Sequence, residues 1–110
     1  MLELMVQICR QVDDDQPEWG ECKLTDALGD EHLFVEKIPV ITQAPLASPN
    51  NYPQPGVIAC TIIKRHDDAD GNTIVEVDTL TPWGVTSMTG RHRFEVLPAQ
   101  LRDPNPPSDR

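Results

Sequence analysis

The sequence predicts an all-β fold: a small antiparallel barrel or sandwich of SH3-like or OB-like character, with about six strands. Three observations carry that expectation. Short stretches of strict apolar–polar alternation recur along the chain, which is the period of a half-buried strand. Turn residues punctuate them at close intervals, as in small β domains. No stretch of ten or more residues carries a helical stripe. At 110 residues the chain fits one domain able to bury a modest core. Residues 1–102 are read as that domain, and the polar, proline-rich tail 103–110 as a flexible end.

The first element alternates cleanly. Leu2, Leu4, Val6 and Ile8 fall on one face, with Glu3, Gln7 and Cys9 on the other. The acid-rich stretch from Val12 to Gly20 then reads as a loop. Alternation resumes with Cys22 and Leu24 facing in and Glu21, Lys23 and Thr25 facing out. Gly29 marks a hairpin connection to a third run from His32 to Thr42, in which Pro39 forces an edge or a break. Four prolines and two asparagines between Gln43 and Gly56 describe the longest internal loop, a length often tied to function. Val57 to Ile63 is apolar on both faces and suits a strand covered on both sides. Val75 and Val77, then Phe94 and Val96, supply two further inward faces. The connection Thr81–Gly90 is turn-rich with room for one short strand, and Pro98 starts a single helical turn.

Residues 22–39 and 75–98 also echo one another. Gly29, His32, Phe34 and Val35 match Gly90, His92, Phe94 and Val96, with one residue of slippage. Because any two strands share an alternating pattern, chance is the favoured source of this echo.

Composition narrows the function classes. Nine Lys+Arg against eighteen Asp+Glu give a net charge of −9. This opposes nucleic-acid binding, which depends on cations displacing phosphate counterions, and attachment to an anionic membrane surface. The three cysteines Cys9, Cys22 and Cys60 cannot all pair within one chain and read as reduced thiols in apolar runs. With no leader evident before the first strand and no apolar run of about 20 residues, a cytoplasmic location is expected.

The stretch His66–Asn72 resembles a helix–loop–helix calcium loop, with Asp68, Asp70 and Gly71 at its third, fifth and sixth positions. His66 and Val77 then occupy the two positions where oxygen ligands are essential. The flanks are strands, so the stretch reads as a hairpin tip with Gly71 at positive φ. Zinc is not expected, since the cysteines and histidines lack the close pairs of zinc sites, and no cofactor is expected either. No nucleophile motif or phosphate-cradling loop is present.

Two functional readings follow. The leading one is a non-enzymatic, acidic, bacterial-type accessory domain, immunity-like in size and charge, that binds a protein partner, possibly a basic one. Its candidate residues are the loop aromatics Trp19, Tyr52 and Trp83 and the acids Asp13, Asp14 and Asp15. The competing role for the tryptophans is to plug the ends of a small barrel, which is favoured because large rings contribute heavily to a small core. The alternative reading is a small-molecule-binding or catalytic barrel with a polar pocket near His32, His92 and Cys22. Oligomeric state is left open by the sequence.

Overall fold

The computed structural model describes residues 2–13, 19–41 and 53–103. Within them the chain forms seven antiparallel strands: β1 (Leu2–Asp13), β2 (Trp19–Thr25), β3 (Glu31–Lys37), β4 (Gln54–Asp67), β5 (Thr73–Asp78), β6 (Arg93–Val96) and β7 (Leu101–Arg102). They lie in the order β3-β2-β1-β4-β5-β6, with β7 beside the start of β1. The all-β expectation holds: the sheet curls into a half-barrel around one core. Two short helical turns accompany it, Ile38–Ile41 and Pro98–Gln100. The first follows directly on β3 and contains Pro39, where the sequence requires an edge or a break, and the second is the turn expected from Pro98.

Curvature comes from two long strands. Gln54–Cys60 of β4 pairs with β1, whereas Thr61–Asp67 pairs with β5. Register shifts at Cys9 and Val12 in β1 and at Ile63 in β4 are the irregularities that bend a strand and raise its twist. Leu4, Val6, Ile8, Cys22, Leu24, Phe34, Ile58, Val75, Val77, Phe94 and Val96 form the buried cluster, as the alternation predicts. The apolar stretch of β4 is covered on both faces only at Ile58, Ala59 and Cys60. Thr61 and Ile63 are exposed, because the second half of β4 runs out into the β4–β5 hairpin.

Glu3 departs from its expected outward position and is 2% exposed. β7 lies directly against it in register, and the Arg102 guanidinium meets the Glu3 carboxylate at 2.9 Å. Two residues of β7 thereby cover a face that alternation alone leaves open.

Three loops share one hydrogen-bonding scheme: Asp26–Asp30, Asp68–Asn72 and Ser87–Arg91. The fourth residue is a glycine at positive φ (89°, 81° and 85°), and its N–H donates to the carbonyl of the first residue. The first residue's N–H donates to the carbonyl of the fifth, and its side-chain oxygen accepts the fifth residue's N–H at 3.0, 2.9 and 3.1 Å. The stretch His66–Asn72 is therefore a hairpin tip, as expected, with a five-residue loop, Asp68–Asn72, between β4 and β5. Asp68 spends its carboxylate on the loop's own amides, with Asp70 N–H also donating to it at 2.9 Å. The second and last hairpins both use this turn, and Phe34 and Phe94 from them meet at 5.5 Å.

The open ends of the sheet, β3 and β6, face each other along a seam. Ala27 N–H donates to Glu95 carbonyl and Met88 N–H to Leu33 carbonyl, both at 2.8 Å. The segment from Met88 to Glu95 thus runs antiparallel beside Ala27–Leu33. The His32 ring packs edge-on against Phe94 at 4.9 Å, beneath the same seam.

Candidate functional site

The connection from β5 to β6, residues 79–92, holds the most exposed aromatic side chain of the described residues. It begins at Thr79, which is fully buried. The Thr79 hydroxyl donates to the Val85 carbonyl at 2.8 Å, and Val85 N–H returns a bond to the Thr79 carbonyl at 3.1 Å. Thr79 N–H donates to the His92 carbonyl at 2.8 Å, which ties the far end of the connection to its start. Between these clamps, Leu80–Gly84 is closed by Gly84 N–H on the Leu80 carbonyl at 2.7 Å. The Thr81–Pro82 bond is cis. Asp78 secures the base: its Oδ1 accepts Leu80 N–H at 2.8 Å and faces His92 Nδ1 at 2.9 Å.

The result is a hydrogen-bonded platform carrying apolar side chains into solvent. Trp83 and Met88 are each 63% exposed, and Leu80 is also exposed. Leu33, on β3, joins them through its main-chain bond to Met88. Trp83 does not plug the barrel. Val85 supplies the buried contact from this connection instead, and the tight Leu80–Gly84 turn turns the indole outward.

The other sequence candidates are placed as follows. Trp19 is half-buried on β2, with the Lys37 ammonium 5.8 Å from its ring centre. Asp13 ends β1 opposite Trp19 in register. Asp14, Asp15 and Tyr52 lie outside the described residues. His32 Nε2 meets Asp26 Oδ2 at 2.8 Å, and both side chains are nearly covered. Burial pushes the Asp26 carboxyl up, but the bonds from His32 and from Asp30 and Leu28 N–H outweigh it and hold the group below the usual carboxylate range. For Asp78 the same balance of burial against Leu80 N–H, His92 and Arg93 also ends low. Cys22 faces Phe34 across β2–β3 with no exposure, and burial pushes its thiol up to about 12. Each of the two histidines thus has a carboxylate of its own, Asp26 for His32 and Asp78 for His92.

A cavity of about 290 Å³ opens beside Met5, Gln7, Lys23, Thr25 and Gln100, and one of about 170 Å³ beside Glu76, Arg91, Arg93, Phe94 and Glu95. Neither wall includes His32, His92 or Cys22. Among the described residues no group of three or more His, Cys, Asp or Glu side chains is arranged to hold a metal ion. No described helix is long and apolar enough to cross a membrane.

Sequence reasoning passed over Leu80, Met88, Leu33 and the clamp Thr79. The available signal was Leu80 and Met88 themselves, large apolar residues in a turn-rich stretch with no alternation to bury them. No protein-family model, curated protein or solved structure matches this chain.

Proposed function

We propose that this chain is a non-enzymatic interaction domain, accessory or immunity-like, that binds a protein partner through the residue 79–91 platform with Trp83 as its anchor. The observation that carries the reading is an indole 63% exposed on a backbone clamped at both ends. Tryptophan is enriched among residues that dominate binding free energy, provided that it enters a desolvated pocket on the partner. A loop already fixed by its own hydrogen bonds loses little further conformational freedom on binding. The net charge of −9 favours association with a cationic partner through the long-range field, which raises the encounter rate more than the final affinity.

The test is retrieval with tagged protein from cells that express it, at low and moderate salt, using wild type and Trp83→Ala side by side. A partner held by wild type and lost by the variant is expected, with retention declining as salt rises. Equal retention by both proteins overturns the reading.

A further inference from the structure

We propose that Arg91 forms a carboxylate-binding site within the residue 79–91 platform, so that a partner of positive overall charge carries one acidic group next to the apolar side chains it seats there. This rests on the reading that Trp83 anchors a partner, and it names the chemistry of the contact.

Arg91 stands apart from most cations of this acidic chain. Arg10, Lys23, Lys64, Arg93 and Arg102 each lie within ion-pair distance of a carboxylate. Arg91 has no carboxylate at that distance among the described residues, although acids outnumber bases two to one. Its guanidinium is held by other means. Nε donates to the Arg93 carbonyl at 2.8 Å, and the guanidinium carbon lies 5.4 Å from the centre of the buried Phe94 ring. One edge of the fork is therefore fixed while its terminal nitrogens keep their donors. A planar guanidinium with its orientation already set is suited to a carboxylate, which it meets with two parallel hydrogen bonds.

Position and charge define the ligand further. Arg91 closes the turn that begins at Ser87, with Ser87 N–H on the Arg91 carbonyl at 2.7 Å, so Met88 and Arg91 belong to one loop tip. Arg91 and Arg93 line the cavity of about 170 Å³ together with Glu76 and Glu95. Those two carboxylates sit opposite each other across β5–β6, and each lies near a basic side chain: Lys64 at 3.7 Å from Glu76 and the His66 ring at 3.3 Å from Glu95. Their negative charge opposes any anion, and a dianion such as phosphate about twice as strongly as a carboxylate, so a singly charged carboxylate is the anion this cavity tolerates best. An aspartate or glutamate side chain, or a chain terminus, meets that requirement.

The experiment uses two small probes on the full chain, N-acetylphenylalanine and its uncharged amide, followed by the Trp83 indole and Met88 methyl resonances. The carboxylate is expected to bind saturably, and the amide about fivefold more weakly, the size of a solvent-accessible charge contact. Arg91→Gln is expected to lower the carboxylate to the amide's affinity, and Arg91→Lys to keep part of the difference. Trp83→Ala is expected to weaken both probes. Equal binding of the two probes to wild type, or an Arg91→Lys and Arg91→Gln pair that both bind like wild type, overturns the arginine site and leaves the platform standing. Undiminished binding by Trp83→Ala overturns the platform. Absence of saturable shifts with either probe counts against both.

Discussion

Asp26 ties its own loop to the seam between β3 and β6. Its Oδ1 accepts Leu28 and Asp30 N–H, and its Oδ2 faces His32, whose ring covers Phe94 at the seam. Replacing it with alanine strands those donors at a nearly buried site, at a cost of about 2–3 kcal/mol in urea unfolding. The pH dependence follows from its direction of shift. A carboxyl held lower in the folded chain than in the unfolded one adds stability above the ordinary carboxylate range, and that gain disappears as pH falls through the folded value. Asp26→Asn is therefore expected to flatten the acid limb of a stability–pH profile, and an unchanged limb contradicts the assignment. Among the thiols, burial raises Cys22 to about 12 and Cys60 to about 11. A colorimetric thiol reagent at mildly alkaline pH should reach at most Cys9 in the folded protein and all three cysteines in denaturant.

At the scale of the element, one turn scheme closes three loops, and the glycine at its fourth position was legible in each. The Asp or Ser at its first position was not, because each loop alone reads as a generic Gly turn. Gly71→Ala places a Cβ at φ 81° and is expected to cost about 1 kcal/mol. Gly56 differs in kind, since a Cβ there comes within 2.7 Å of Ile8 and 3.1 Å of the Ile41 carbonyl. Its alanine variant should unfold at markedly lower urea than Gly71→Ala, because a backbone atom and a buried branched side chain have to move. The platform has its own test. Thr79→Val keeps the shape but removes the hydroxyl bonded to Val85, and a loss of about 1–2 kcal/mol is expected, with faster amide exchange confined to residues 80–85.

For the molecule as a whole, alternation at Leu4, Ile8, Cys22, Phe34, Val77 and Phe94 was enough to give the strands and the core. It could not give the passage of β4 between two neighbours, the cover that β7 lays over Glu3, or the seam. These arise from contacts far apart in sequence, and no local pattern encodes them. The exposure of Trp83 was hidden for the same reason: a buried and a presented indole have the same local sequence. On the proposed function, this indole is left in solvent by a fixed platform so that a partner can cover it. Oxidative footprinting read by mass spectrometry tests this directly, comparing Trp83 in the purified protein with Trp83 in the native cell extract. Rapid oxidation in isolation and strong protection in the extract are predicted, with Ile63 on the remote hairpin unchanged. Equal oxidation of Trp83 in both settings contradicts the claim.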